Sequence, residues 1–263
     1  MQFPGKGEQT MYEFNYYEQM KLAEQGDLDA MFNVASYIIW GDQSSPVEPK
    51  AAELAVRYFK ANAENGDTDS MLDLGAMYLE GRGVPKDEKE ALNWYKKAAE
   101  HYGQRACRCI ANYYRYDVID DGTPVPTADP VRLQKALDWY RIGAERGEEN
   151  CIYELGDYYR KGILVPQDEE KAFDLYVQAM RICEKLENER YLVNDSYSDV
   201  CFRLAECYHY GIGTEIDLEQ AREYIQIAKK ETKKRLDNGD MYGGCLYPRV
   251  LKEWNAIMAE VGF

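Results

Sequence analysis

The chain has 263 residues, 45% of them apolar and 13% aromatic, which excludes wholesale disorder because enough apolar surface is available for a core. Its formal net charge of −15 argues against nucleic acid or an anionic membrane as the main partner, and it also favours solubility. No segment approaches the roughly 20 apolar residues of a membrane helix. The N-terminus is polar, and the seven cysteines lack framework spacing. These features predict an acidic protein of the reducing cytoplasm.

The first predicted element is a helix from Met11 to Gln25, which caps the N-terminal end of the fold within residues 1–27. A pattern then recurs five times: an apolar residue, a small residue directly after it and, in four copies, a tyrosine four positions beyond the apolar one. Apolar residues at this spacing share a helix face, and the small residue lets a second helix approach closely. The pattern marks the first helix of each repeat at Val34-Ala35, Leu74-Gly75, Ile110-Ala111, Leu155-Gly156 and Leu204-Ala205.

Each first helix is predicted to end in a turn that leads into a second helix. Left-handed helix C-caps are expected at Gly81, Gly162 and Gly211. The second helices are expected to begin after N-cap residues such as Asp87, Asp129 and Asp217. A small residue recurs in every second helix, at Ala55, Ala91, Ala136, Ala172 and Ala221. Five helix–turn–helix repeats are therefore predicted at residues 28–67, 68–103, 104–147, 148–194 and 195–235.

Two insertions interrupt the repeat. The segment from Asp117 to Ala128 is rich in Asp, Pro and Gly and is predicted to be a surface loop, which is a candidate second contact surface. Residues 184–198 extend or follow the second helix of the fourth repeat. A capping helix is predicted at Tyr247–Val261, within residues 236–263. The predicted fold class is an all-α solenoid of about five helix–turn–helix repeats with terminal capping helices.

The repeat unit reads Leu-Gly-x-x-Tyr, then Gly-x-Gly-Val, then Lys-Glu-Ala-Leu-x-Trp-Tyr-x-Lys-Ala-Ala-Glu, and it resembles the Sel-one-like repeat, a longer relative of the tetratricopeptide repeat. Residues 66–103 match this unit most closely, residues 140–183 match well, and residues 28–230 match in outline. Residues 41–45 depart from the Gly-x-Gly turn. The resemblance implies a right-handed α-solenoid that acts as a protein–protein interaction scaffold or adaptor.

An enzymatic function is the alternative. A cysteine-rich, secreted branch of the family joins successive helices by disulfides, and members of that branch have been credited with β-lactam binding or hydrolysis. None of the matching pairs in this chain holds two cysteines: Ala63/Met71, Ala99/Cys107, Ala144/Ile152 and Met180/Cys201. The chain has two histidines, no phosphate-binding glycine loop and no cysteine pair at metal or redox spacing. We therefore predict no catalytic residues, no metal site and no cofactor.

In tetratricopeptide-like solenoids the first helix of each repeat lines a concave groove, and the resemblance implies the same here. The predicted partner-binding residues flank the apolar–small pairs at fixed offsets: Phe32, Trp40, Arg105, Arg108, Asn112, Arg115, Tyr116, Tyr153, Arg160, Lys161, Phe202 and His209. The cations among them fall in the third and fourth repeats.

Arginine makes bidentate bonds to carboxylates, so the predicted partner is a protein or peptide with an acidic or C-terminal carboxylate motif, held on aromatic anchors. Arg108 and Arg115 lie on one helix face and are the leading candidates for this clamp. The alternative interpretation is that these arginines pair with neighbouring acids along the solenoid and contribute little to binding.

Overall fold

The computed structural model describes residues 15–41, 46–118, 124–189, 195–237 and 241–261. These residues are almost entirely helical and form an all-α repeat solenoid, which confirms the predicted fold class. The chain divides into two compact units, residues 1–103 (unit 1) and residues 104–263 (unit 2). No helix within the described ranges is long and apolar enough to cross a membrane.

The described part of unit 1 contains five helices that pack in sequence order, each against the next. They are α1 (Tyr16–Glu24), α2 (Leu28–Trp40), α3 (Pro49–Glu64), α4 (Thr68–Glu80) and α5 (Glu88–Glu100). We call the first helix of each repeat the A-helix and the second the B-helix. In unit 1 the A-helices are α2 and α4, and the B-helices are α3 and α5.

Unit 2 continues the alternation with three further A-helices, α6, α8 and α10, and three B-helices, α7, α9 and α11. A short antiparallel strand pair, β1–β2, lies between α6 and α7, and a final helix, α12, packs against α11 and α10. The bounds are α6 (Gln104–Arg115), β1 (Tyr116–Val118), β2 (Pro124–Pro126), α7 (Pro130–Glu145), α8 (Glu149–Lys161), α9 (Glu169–Glu189), α10 (Asp195–Tyr210), α11 (Leu218–Asp237) and α12 (Met241–Val261).

The core of each repeat forms where the sequence pattern places it. The aligned apolar residues of the A-helices are all buried, as are the small residues that follow them. Small size is required at these positions, because a Cβ on Gly156 would lie 2.6 Å from a ring carbon of Tyr176 on the paired B-helix. The alanine that recurs in each B-helix is likewise fully buried, at Ala55, Ala91, Ala136, Ala172 and Ala221.

The predicted helix ends agree with the structure. Gly81, Gly162 and Gly211 have positive φ values of 72°, 64° and 70°, as a left-handed C-cap requires. The carboxylates of Asp87, Asp129 and Asp217 each accept a hydrogen bond from a backbone N–H in the first turn of the helix that follows. Local sequence therefore sets where these helices start and stop.

Three elements differ from the prediction. The segment predicted as a surface loop contains strands β1 and β2, whose ladder pairs Tyr116 with Pro126; residues 119–123 lie outside the described part of the chain. Arg132 fixes this strand pair, because its guanidinium bonds the Asp117 carboxylate and donates to the Tyr116 carbonyl oxygen at 2.9 Å. Because the residue that anchors the strand pair lies outside the strand segment, the strands themselves carry no periodic pattern that would predict them.

The other two differences concern the terminal helices. The structure describes the N-terminal helix from Tyr16 to Glu24, and the predicted residues 11–14 lie outside the described ranges. The C-terminal helix begins at Met241 rather than at Tyr247. It continues through Pro248 because Leu246 and Val250 are both buried in the core of unit 2, so packing outweighs the proline.

Candidate functional site

The A-helices of unit 2 lie side by side, since α6 contacts α8 and α8 contacts α10. We call the surface they form the A-helix face of unit 2. Two ion pairs cross from α8 to α10: Arg160 Nη1 lies 2.5 Å from Glu206 Oε2, and Arg203 Nε lies 2.8 Å from Asp157 Oδ1. Both pairs are mostly buried, with side-chain exposures of 12–21%. Ion pairs between residues of this face therefore link α8 to α10.

Asp157 and Arg203 form the centre of this network. Arg203 binds the carboxylate with two nitrogens, at 2.8 and 2.9 Å, and its guanidinium lies 4.4 Å from the ring centre of Tyr153. The Tyr176 hydroxyl donates to the same carboxylate at 2.7 Å. Burial alone would raise the pKa of Asp157, but the charge and hydrogen bonds of Arg203 lower it below its usual range. Asp157 is therefore ionised at neutral pH in the folded protein.

Glu154 is buried beside this pair, with 8% of the residue exposed. Burial raises the pKa of its carboxyl, the negative charge of Asp157 raises it further, and Arg203 and Arg115 offset only part of the effect. The guanidinium of Arg115 lies 5.6 Å from the ring centres of both Tyr116 and Tyr158, and Arg115 is 9% exposed. Arg115 therefore packs inside the repeat instead of presenting its charge to solvent.

Arg108 also has an internal partner. Its Nε lies 3.4 Å from Oε1 of Glu148, and the Glu148 side chain is 2% exposed. The other carboxylate oxygen of Glu148 accepts the backbone N–H of Cys151 at 2.6 Å and caps α8. Burial raises the pKa of Glu148 to about 7, although Arg108 lowers it. Arg108 therefore stabilises the start of the next A-helix.

The helix α12 covers the predicted groove positions of the fifth repeat. Phe202 is buried, and the guanidinium of Arg249 lies 5.0 Å from the centre of its ring. His209 Nδ1 lies 2.6 Å from Oε1 of Glu253, and its Nε2 lies 3.1 Å from Oε1 of Glu260. Both side chains therefore hold the capping helix against α10.

Replacing His209 with glutamine is expected to weaken this attachment mainly at low pH. Burial opposes the charge on His209, but hydrogen bonds to Glu253 and Glu260 raise its pKa above the ordinary value of 6.5. A raised folded-state pKa means that the stabilisation is complete below about pH 6.5 and is lost as the pH rises through the folded-state pKa. Urea unfolding should show a larger difference between wild type and His209→Gln at about pH 6 than at about pH 9.

The comparison with His209→Gln removes the effect of other titrating groups. The buried carboxyls of Glu148 and Glu154 have raised pKa values, so they lower the stability of both proteins equally as the pH rises. A difference between the two proteins that does not change with pH would contradict a protonated His209 in the folded state.

The two predicted residues of unit 1 lie on α2. The ring of Phe32 packs edge-on against Phe59, with 5.8 Å between ring centres, and lines a cavity of about 690 Å³ together with Asp29 and Asp69. The guanidinium of Arg82 lies 5.9 Å from the ring centre of Trp40. Both aromatic side chains are half-buried and serve the packing of unit 1.

The twelve predicted residues thus separate by exposure. Arg105 and Lys161 are exposed, whereas Arg115, Tyr153, Phe202 and His209 are buried. The others are half-buried: Phe32, Trp40, Arg108, Asn112, Tyr116 and Arg160. Whether these residues bind a partner stays a prediction, and the internal pairing of Arg108 and Arg160 is what the alternative interpretation described.

Arg203, which directly precedes the aligned Leu204, was not among the residues predicted from the sequence. Glu154 directly precedes Leu155 and so occupies the same position in the preceding repeat. Residues at equivalent positions of successive repeats are neighbours in a solenoid. Arg203 pairs with Asp157, which lies one helical turn beyond Glu154, so opposite charges at or one turn from the same repeat position were the signal that could have revealed this network.

Successive helix pairs within each unit, packed chiefly through the contact of a B-helix with the A-helix that follows it, define a helical-repeat protein. The chain belongs to the Sel1 repeat family, whose model matches residues 28–67, 68–102, 121–148, 150–180 and 198–231. Its fold is similar to that of a Sel1 repeat protein from Oxalobacter formigenes, with 25% identity and a TM-score of 0.56 over 82% of this chain and 78% of that chain.

Two further solved structures are similar in fold. One is c5321, described as a protective antigen present in uropathogenic Escherichia coli strains, with 24% identity and a TM-score of 0.58. That match covers 94% of this chain and 51% of c5321, so the chain spans about half the length of that protein. The other is the immunity protein Pa5087 from Pseudomonas aeruginosa, with 17% identity and a TM-score of 0.50 over 82% of this chain and 73% of that chain.

Proposed function

We propose that the chain is a non-enzymatic scaffold of the cytoplasm that binds a peptide or protein segment on the A-helix face of unit 2. The observation that carries the proposal is that α6, α8 and α10 form one continuous face whose polar side chains are held in place by buried ion pairs. The ion pairs hold α8 and α10 together as a rigid support for the exposed side chains, so the helices themselves need little ordering when a partner binds. Membership in the Sel1 repeat family and the similarity to an immunity protein support a protein partner.

The exposed cations of this face favour a partner segment with an acidic or C-terminal carboxylate motif. Arg105 lies at the first turn of α6 and Lys161 at the last turn of α8, and both side chains are exposed. Arg108 and Arg115 are less suited to this role because they are less exposed: the Arg108 side chain is 22% exposed and lies against buried Glu148, and Arg115 is itself buried. We therefore propose Arg105 and Lys161 as two separate contacts for the acidic segment, in place of a clamp formed by Arg108 and Arg115.

The state of the nucleophilic side chains supports a non-enzymatic role. Burial raises the pKa of the Cys207 thiol to about 12, and it also raises the pKa values of Cys107, Cys151 and Cys201. A thiol that stays protonated is a poor nucleophile and a poor metal ligand. All seven cysteines are free, which suits a reducing compartment.

The test compares two double variants in a quantitative pull-down from a lysate of the source organism. Arg105→Glu/Lys161→Glu reverses two exposed charges on the A-helix face. Lys135→Glu/Arg181→Glu reverses two exposed charges on the B-helices α7 and α9 and changes the net charge equally. We expect the first variant to lose a partner that wild type and the second variant retain, because only the first alters the binding face.

Retention of every partner by the first variant would contradict binding at the A-helix face. Loss of the same partners by both variants would point to a general effect of charge. Circular dichroism should show that both variants keep their helices. Hydrolysis of the β-lactam nitrocefin by the purified protein, abolished by a point mutation, would contradict the non-enzymatic role.

A further inference from the structure

The helix α11 carries a local excess of positive charge in an acidic protein. Five cations, Lys229, Lys230, Lys233, Lys234 and Arg235, lie between residues 229 and 235, whereas the whole chain has a net charge of −15. Arg235 points toward α10, where its Nη1 lies 2.6 Å from Asp199 Oδ2. The four lysines remain on the outer side of unit 2. We call these four side chains the α11 lysine cluster.

The α11 lysine cluster borders a groove between α11 and α12. The groove has a volume of about 430 Å³ and is lined by Gln226, Tyr247 and Trp254 as well as by the lysines. The Lys229 ammonium lies 4.1 Å from the ring centre of Trp254. Both aromatic residues are half-buried, so their rings provide an apolar floor that solvent still reaches. The site therefore combines an apolar floor with a cationic rim.

The acids of α11 neutralise this rim only in part. Lys233 pairs with Asp237, and Lys234 Nζ lies 2.8 Å from Glu231 Oε2. Lys230 lies 3.8 Å from Glu231 as well, and its side chain is 73% exposed. Two carboxylates thus pair with three of the four ammonium groups, whereas the fourth, that of Lys229, lies over the Trp254 ring. Exposed pairs of this kind are weak, so a carboxylate from a partner can replace them at little cost.

We propose that the groove between α11 and α12 binds an acidic protein segment, with one bulky apolar side chain against Trp254 and carboxylates against the α11 lysine cluster. The site lies on α11 and α12 and is separate from the A-helix face. A long polyanion such as duplex nucleic acid or a membrane surface would also face the acidic remainder of the protein. A short segment senses only charges within a Debye length of about 8 Å, which here are mainly lysines.

The test uses a short fluorescein-labelled peptide with glutamates on both sides of a single phenylalanine, and binding is measured by fluorescence anisotropy. The patch variant is Lys230→Glu/Lys233→Glu/Lys234→Glu. The matched control is Lys60→Glu/Lys89→Glu/Lys96→Glu, which reverses three exposed lysines of unit 1 and gives the same net charge. We expect the patch variant to bind at least about tenfold more weakly than wild type, and the control to stay within about twofold.

Two further arms test the chemistry of the partner. Replacing the phenylalanine of the peptide with serine should weaken binding by about tenfold, because the apolar floor then stays empty. The same triple change to glutamine removes the lysine charges without adding repulsion to Glu231 and Asp237, and it should also weaken binding if the glutamate variant proves unstable.

Equal weakening by the patch and control variants would overturn the proposal, as would a peptide that binds equally well without its phenylalanine. Absence of binding to wild type would overturn it too. Cosedimentation with phosphatidylserine vesicles that depends on the lysines, together with no peptide binding, would replace the protein segment with a membrane surface.

Discussion

Replacing Arg203 with leucine is expected to lower the free energy of unfolding by about 3 to 5 kcal/mol, the typical cost of removing one partner of a buried ion pair. Arg203 is the bidentate partner of Asp157, and its side chain is 12% exposed. Without it, the Asp157 carboxylate stays mostly buried next to Glu154, with the neutral Tyr176 hydroxyl and the solvent-exposed Lys161 ammonium as its remaining partners. Urea denaturation followed by circular dichroism measures the loss.

Lys161→Ala is the matched control for Arg203→Leu. Lys161 also pairs with Asp157, at 3.4 Å, but its side chain is 53% exposed. Lys161→Ala is expected to lower the free energy of unfolding by less than about 1 kcal/mol, because solvent screens the Lys161–Asp157 pair. The double variant Arg203→Leu/Asp157→Leu should recover much of the loss, since no charge is then left unpaired. Equal costs for Arg203→Leu and Lys161→Ala would contradict the central role of this pair.

Gly213→Ala is expected to destabilise unit 2 by about 3 kcal/mol, through backbone strain and steric overlap together. Gly213 lies in the turn after α10 and has a φ of +68°, which an alanine adopts only with strain. A Cβ at this position would also overlap the carbonyl oxygen of Glu169 and lie 2.9 Å from the backbone nitrogen of Glu170. These atoms belong to the start of α9 in the preceding repeat, so the backbone itself would have to move.

Gly147→Ala separates the contribution of backbone strain from that of steric overlap. Gly147 has a φ of +81°, but a Cβ there meets no atom within 4 Å. Gly147→Ala should therefore lower the free energy of unfolding only by the strain of the left-handed backbone, about 1 kcal/mol. Thermal or urea unfolding of the two variants measures the difference directly. If both variants lose the same stability, the contact between Gly213 and the start of α9 contributes nothing to repeat packing.

The predicted helices and their ends could be read from the sequence because they depend on contacts between residues close in the chain. The C-cap glycines at 81, 162 and 211 and the N-cap aspartates at 87, 129 and 217 act through backbone groups within one turn. The buried apolar–small pairs follow from helical spacing alone. The strand pair β1–β2 could not be predicted, because Arg132 on α7 anchors it from outside the segment.

The candidate site was predictable only as a face of the A-helices. Arg105, Arg108 and Arg115 look equivalent in the sequence, yet the first is exposed, the second pairs with Glu148 and the third is buried against aromatic rings. Exposure and charge pairing depend on which residues of neighbouring helices come within a few ångströms. That information is absent from the spacing along a single helix.

The sequence by itself determined that the protein is a Sel1-type array of helix pairs, because each repeat carries its own helix spacing, caps and small contact residues. Only the tertiary structure decided which charges are exposed and which are paired inside the fold. Arg203, Arg160 and His209 reach acids that lie 44 to 51 positions away in the chain. Their pairing is set by the stacking of one repeat on the next, since ion pairs form wherever packing brings opposite charges together out of water.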